Sequence, residues 1–91
     1  MKFSWDPRKA RANERRHRVS FEEARSVFGD PLAITYADVD HSIGELRSLS
    51  FGESLRGRLL VVAHVELEGG TIRIISARIA TRGERCEYEE A

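Results

Sequence analysis

The chain has a single cysteine, Cys86, among its 91 residues. One thiol can neither close an intramolecular disulfide nor build a zinc knuckle, so nothing points to an oxidising compartment and a cytoplasmic setting is expected. Long apolar runs are missing too: the opening MKFSWDPRK lacks the apolar stretch of a secretory signal, and no segment approaches the roughly 18 residues that span a membrane. There is no G-x-S-x-G, Walker loop, dinucleotide-binding glycine pattern, His-Glu-x-x-His or Cys-x-x-Cys, so the common hydrolase, nucleotide and zinc chemistries have no signature. Repeats and low-complexity tracts are likewise absent. A length of 91 residues fits one small domain, 1–91, with one modest core.

Net charge is also missing, with 15 Lys and Arg against 15 Asp and Glu, but that zero conceals a division. Residues 1–18 hold seven bases and two acids, residues 19–45 one base and six acids, and the remainder seven of each. Balances of +5 and −5 in adjacent segments suggest a basic surface for an anionic partner and an acidic surface elsewhere.

The elements follow from caps and periodicity. Phe3-Ser4-Trp5 alternates as a short edge strand would. Asp6-Pro7 supplies an N-cap and an N1 proline for a helix reaching about His17. The apolar content of that helix is two alanines, so it must be held by arginine stems and by neighbours such as Trp5. Ser20-Phe-Glu-Glu23 is a capping box opening a second helix through Phe28, which Gly29-Asp30-Pro31 stops. Strand-like runs follow at Leu32–Tyr36, Leu46–Phe51, Leu59–Leu67 and Thr71–Ile79. The third is apolar on both faces and belongs in the sheet centre. Short links at Gly52–Gly57 and Glu68–Gly70 favour hairpins. The expected fold class is α+β: two N-terminal helices, a four-stranded antiparallel sheet and a C-terminal helix.

The last strand places Ile72, Ile74, Ser76 and Arg78 on one face and Arg73, Ile75, Ala77 and Ile79 on the other. It runs into a helix opened by a second capping box, Thr81-x-x-Glu84. Arg82 and Arg85 lie in the first turn, where cations oppose the helix dipole by roughly 0.3–1 kcal/mol each. Such conflicts gather where function overrules stability. On the first helix Lys9, Asn13 and His17 recur at i, i+4 and i+8 among further arginines, a polar stripe able to position a phosphate and a base. His17 is either a capping cation at the helix end or a proton carrier, since histidine's ordinary pKa of about 6.5 lies near neutrality. Glu45 and Arg47 are either an ion pair or a general base beside its charge partner. Asp38, Asp40 and His41 contain metal-ligand types, but Asp-rich turns bond their own backbone, and a structural loop is expected. His64 is expected in the interior. The remaining arginine, histidine, glutamate and tyrosine suffice for metal-independent RNA cleavage, in which the 2′-hydroxyl is the nucleophile and cations stabilise charge at phosphorus.

The order Trp5-Asp-Pro-x-Lys9, Asn13, His17, Val19-Ser-Phe-Glu-Glu-Ala24, Phe28-x-Asp-Pro31, Asp40-His41, Glu45-x-Arg47, Gly52, Arg58-Leu-Leu-Val-Val62 and Ile72-Arg-Ile-Ile-Ser-Ala-Arg78-x-Ala-Thr-x-x-Glu84-Arg85-x-x-Tyr88-Glu89 resembles the BrnT family of toxins. The likeness spans essentially the whole chain. It implies a RelE-like ribonuclease fold, membership of a type II toxin–antitoxin system and inhibition of translation. It also implies neutralisation by a BrnA-type antitoxin that binds operator DNA, which the toxin would reach only through that protein. No metal or cofactor is expected. The positions matching the family's polar pattern are Lys9, His17, Glu45, Arg47, Arg78, Glu84, Arg85 and Tyr88. On that likeness Arg47, Arg78 and Arg85 hold phosphate, Glu45 or His17 moves protons, Tyr88 stacks on a base or protonates the leaving oxygen, and Lys9 contacts RNA. Arg73 and Arg82 are assigned to surface charge. The alternative is a non-catalytic module of the same fold that acts through antitoxin or nucleic-acid binding alone.

The chain departs from the family pattern at three places. Arg16-His17-Arg18 replaces Lys-His-Gly, so a glycine C-cap is lost and Arg18 must avoid positive φ or tolerate its cost. Glu45-Leu46-Arg47 replaces Glu-Glu-Arg, and Cys86 stands where a polar or basic residue is usual.

Overall fold

The computed structural model describes residues 1–42 and 44–90. Its elements are β1 (Lys2–Ser4), α1 (Pro7–His17), α2 (Phe21–Ser26) running into a 3-10 turn (Val27–Gly29), β2 (Ile34–Ala37), β3 (Arg47–Glu53), β4 (Leu59–Glu66), β5 (Thr71–Ile79) and α3 (Arg82–Glu90). The strands form one five-stranded sheet in the order β1-β5-β4-β3-β2. The β2 to β5 meander is antiparallel with β4 at the centre, the β3–β4 and β4–β5 pairs being joined by the short links expected of hairpins. The expected four-stranded antiparallel sheet is corrected on one point. β1 is a fifth strand, and it runs parallel to β5, with Phe3 opposite Ile72. Three residues carry too little pattern to reveal so distant a partner.

The helix starts obey local chemistry. Asp6 accepts from the Arg8 N–H at 2.8 Å at the head of α1. Ser20 accepts from the Glu23 N–H at 3.0 Å at the head of α2. Only half of the Ser20 capping box forms, because the Glu23 carboxylate turns inward. There it receives the Ser54 hydroxyl at 2.7 Å and the Arg58 Nε–H at 2.9 Å. Arg58 also donates to the carbonyl of Arg18 at 3.0 Å, tying the α1–α2 turn to the start of β4. Arg18 itself adopts the left-handed conformation, φ 59° and ψ 33°, and its N–H closes α1 on Glu14 O. This is the strained alternative left open by the missing glycine.

The core lies between one sheet face and the α1–α2 pair. Val19, Phe21, Ala24, Val27, Leu60, Val62, Ile74 and Ala77 are buried there, with Phe3, Trp5 and Phe28 packed around them. Ile74 and Ala77 share that face although they are three residues apart. The reason is a bulge: Ala63 pairs with Ser76 but His64 pairs with Ile74, leaving Ile75 without an opposite residue. Strict alternation along β5 therefore fails beyond Ile74. Arg78 lies on the face opposite Ile72 and Ile74, a correction to the alternation expected from sequence. His64 is buried, bonds Ser50 at 2.8 Å and lies edge-on to Phe28. Burial pushes its pKa down, so it is neutral in the interior.

Candidate functional site

Residues directly opposite one another in a sheet share a face. On the side away from α1 and α2, the register sets three rows across β3, β4 and β5: Arg47–Val65–Arg73, Leu49–Ala63–Ser76 and Phe51–Val61–Arg78. β2 adds Tyr36 beside Leu49 and Ile34 beside Phe51. α3 does not roof this face. It leaves the end of β5 and crosses the ends of the strands towards Asp30, which accepts from the Glu53 N–H. Val61, Ala63 and Val65 are shielded at 3, 9 and 4% exposure, while longer flanking side chains stand partly in solvent. The result is a trough with an apolar floor and arginines on both flanks.

Arg47 opens β3 on this face and makes no salt bridge among the described residues. Glu45 precedes the strand, and its carboxylate accepts from Arg73 Nη2 at 2.8 Å. Glu45 therefore pairs with Arg73 and not with Arg47. Arg73, assigned to the surface from sequence, belongs to the same face as Arg47 and Arg78. Arg78 donates from Nη1 and Nη2 to the two carboxylate oxygens of Glu84, at 2.7 and 2.8 Å. The two hydrogen bonds from the Arg78 guanidinium, with the Thr81 N–H as a further donor, outweigh burial and bring the Glu84 pKa down to about 2. Glu84 in turn raises the pKa of Arg78. Both halves of the Thr81–Glu84 capping box are present, Thr81 N–H to Glu84 Oε1 at 2.8 Å and Glu84 N–H to Thr81 Oγ1 at 3.2 Å. One carboxylate thus closes the helix start and aims an arginine.

The α1 stripe divides. Asn13 turns inward, where its Nδ2 donates to the carbonyls of Val19 and Ala77, both at 2.9 Å, and its Oδ1 accepts from the Ala77 N–H at 3.1 Å. β1 covers β5 only at Thr71–Arg73, and Asn13 occupies the bare edge beyond it as a neighbouring strand would. Lys9 and His17 stay outside with Arg16 and border a shallow groove of about 200 Å³ whose other wall is Ile75 and Ser76. Ser76 faces the trough. Lys9 and His17 therefore lie at the β5 edge of the surface that carries Arg73 and Arg78.

Arg85 and Tyr88 go elsewhere. Arg85 lies 3.8 Å from Glu89, one helical turn on, with both side chains more than half exposed. The Tyr88 hydroxyl donates to Asp30 Oδ2 at 2.6 Å, and this bond to a carboxylate, with burial, pushes its pKa up to about 12. Burial alone would raise the Asp30 carboxyl, but hydrogen bonds from the Glu53 N–H, the Tyr88 hydroxyl and the Leu32 N–H hold it below its ordinary value. Tyr88 is thereby the far anchor of α3. In the Asp38–His41 turn, His41 Nδ1 lies 3.1 Å from both Asp38 carboxylate oxygens. No three metal-ligating side chains converge there or elsewhere among the described residues.

Sequence reading missed the Glu23–Arg58–Ser54 network, the anchoring role of Asp30 and the membership of Arg73. Arg58 and Glu23 are 35 residues apart, and nothing in the local pattern of either names the other. The capping-box reading even assigned the Glu23 carboxylate a different partner. Arg73 was legible only through cross-strand register, which the β5 bulge resets.

The sequence profile of the family described as "Ribonuclease toxin, BrnT, of type II toxin-antitoxin system" matches residues 5–84. Among solved structures, the crystal structure of the Brucella abortus ribonuclease toxin BrnT aligns with a TM-score of 0.69 over 90% of this chain and 99% of that one. The two sequences are 20% identical, so this likeness speaks to fold alone. No curated protein sequence matches the chain.

Proposed function

The chain belongs to the BrnT family of ribonuclease toxins of type II toxin–antitoxin systems, and we propose that residues 1–91 act as one metal-independent ribonuclease domain that inhibits translation. The carrying observation is the placement of Arg47, Arg73 and Arg78 on one sheet face, the one turned away from α1 and α2, beside Glu45 and the Lys9–His17 edge. Three cations on one face, Arg73 and Arg78 held by carboxylates and Arg47 without a salt bridge among the described residues, suit a phosphodiester, whose charge grows as phosphorus becomes five-coordinate.

In the proposed reaction a base takes the proton of a ribose 2′-hydroxyl, and the 2′-oxygen attacks the adjacent phosphorus. The bond to the 5′-oxygen breaks, a proton is delivered to that leaving oxygen, and a 2′,3′-cyclic phosphate remains. Glu45 and His17 are the proton carriers. Arg47 and Arg78 bind the non-bridging oxygens, with Arg73 holding Glu45 in place. Lys9 and Arg85 contact flanking phosphates. Tyr88 reaches substrate only if its bond to Asp30 opens, so its first contribution is to fix α3 and through it Glu84 and Arg78. The family implies an antitoxin partner. We assign that role to a BrnA-type protein, through which alone the toxin reaches operator DNA. The setting is the cytoplasm.

Purified protein incubated with RNA in excess EDTA provides the test. Cleavage to cyclic-phosphate ends is expected, and Arg47→Ala or Arg78→Ala should lower the rate about 10²–10³-fold, as loss of one transition-state donor does elsewhere. Full activity in both variants, or activity abolished by EDTA, overturns the reading.

A further inference from the structure

Tyr36 borders the arginine-bearing face but has no role in the reaction proposed above. It is 51% exposed on edge strand β2, on the same sheet face as the arginines, and its ring meets that of Phe51 at 5.8 Å and 86°. Phe51 lies in one row with Val61 and Arg78, and Tyr36 is level with Leu49, two residues along β3 from Arg47. Arg47 and Arg78 stand in different rows, two strands across and four residues along, so with strands about 4.8 Å apart and a rise of about 3.3 Å per residue their Cα atoms are roughly 16 Å apart, a distance that two long side chains bridge by reaching towards each other. An aromatic pair therefore stands beside a cationic trough. Its outer member keeps a broad surface free.

Resting on the ribonuclease reading above, we propose that Tyr36, backed by Phe51, is a stacking platform for an unpaired base next to the phosphate held by Arg47 and Arg78, making single-stranded RNA the substrate. The physical case is complementarity of two kinds. The arginines match a phosphate backbone, and the half-exposed ring matches the π-face that every base presents, so recognition tolerates sequence. Bases in a duplex are already stacked on one another and cannot lie on a side chain. Phe51 braces the platform, since an edge-to-face contact with a partly buried ring limits where Tyr36 can swing. A purely structural tyrosine at this place would be expected to lie down over Leu49 and Phe51 and bury itself. Tyr36 instead leaves half its surface in water.

The test uses the full chain and a short RNA oligonucleotide carrying 2-aminopurine, with 2′-O-methyl groups so that it binds without being cleaved. Quenching of the fluorophore by the wild-type protein is expected. Tyr36→Leu, which keeps the apolar contact with Phe51, should weaken binding about tenfold or more and abolish the quenching, whereas Tyr36→Trp should retain both. On the cleavable oligonucleotide Tyr36→Leu should raise KM far more than it lowers kcat. On the same sequence annealed into a duplex, wild type and Tyr36→Leu should bind alike. Unchanged single-strand binding in Tyr36→Leu overturns the platform. So does an equal loss on duplex, or a defect confined to antitoxin binding. Wild-type protein that binds and quenches the methylated strand but never cleaves its ribose counterpart refutes the ribonuclease reading while sustaining the platform. Wild-type protein that binds no RNA refutes both.

Discussion

Asn13 is the side chain whose removal should be most costly for its size. Its amide serves three backbone groups, the carbonyls of Val19 and Ala77 and the Ala77 N–H. Val19 and Ala77 are fully buried. A buried group left without its partner costs about 1–3 kcal/mol. Asn13 retains 7% exposure, so water can reach part of the vacated space and the low end applies. With three groups at about 1 kcal/mol each, less the roughly 0.6 kcal/mol that alanine gains in helix propensity, Asn13→Ala should destabilise by about 2.4 kcal/mol. Domains of this size are stable by roughly 5–14 kcal/mol. The single tryptophan, Trp5, lies edge-on to Phe21 at 5.9 Å and offers a fluorescence probe for urea unfolding. Asn13→Asp sharpens the test. A carboxylate keeps the acceptor for the Ala77 N–H but sets a second oxygen against two carbonyls. The introduced acid should therefore hold its proton, with a folded pKa above the unfolded value of about 3.9. Its relative stability is then fully present below that pH and lost as pH rises through the folded value. Asn13→Asp should gain on Asn13→Ala as the solution is acidified from pH 7 to 4. A cost below 1 kcal/mol for Asn13→Ala, or wild-type stability of Asn13→Asp at neutral pH, refutes the edge-pairing argument.

Three further outcomes follow from named contacts. Arg18→Gly should stabilise the protein by about 1 kcal/mol in urea titrations, because it removes a side chain from a left-handed position at φ 59°; lower stability would mean the side chain makes an unseen compensating contact. Gly52→Ala should cost about 1–3 kcal/mol by the same measurement, since its Cβ would stand 2.8 Å from Val27 Cγ1 and 3.0 Å from Ala33 Cβ; a neutral effect would show that the packing of the Val27–Gly29 turn on β3 yields freely. Acid should weaken the fold in two windows. The lowered pKa of His64 means its contribution is present above about pH 6.5 and fades as pH falls below it, whereas that of Glu84 is complete above its ordinary value of 4.5 and fades towards about 2. Unfolding free energies of His64→Leu and Glu84→Gln between pH 8 and 2.5 should each lose one window and keep the other.

Much of this molecule could be read from its residues wherever the cause is local. Asp6-Pro7, Ser20 and Thr81-x-x-Glu84 mark helix starts because a cap is decided within four positions, and the even apolar content of Leu59–Leu67 marks a central strand. Wherever the cause is a partner far along the chain, reading fails. β1 was visible as an alternating triplet, yet its place beside β5 depends on residues about 70 positions later. Asn13 stands in a stripe with Lys9 and His17 at perfect helical spacing, but only the unpaired edge of β5 explains why it turns inward. The arginines were legible as a group and not as individuals: the β5 bulge decides which face Arg78 takes, and Arg73 enters through Glu45.

The position of β5 has a further consequence, in time. Among the described strands it is made after the other four, and it is the surface on which β1 and α1 dock. While the chain is being synthesised, the basic amino-terminal helix therefore has no place to settle, and the bond between Asn13 and Ala77 closes a loop 64 residues long. Contacts of that separation make folding slower than in helical bundles of equal size. The cationic trough is completed by the same strand, so no partial chain ending before β5 carries it. Activity would arrive only once β5 has paired, and an inhibitor that recognised the docked helices and sheet together would find its target only after that pairing.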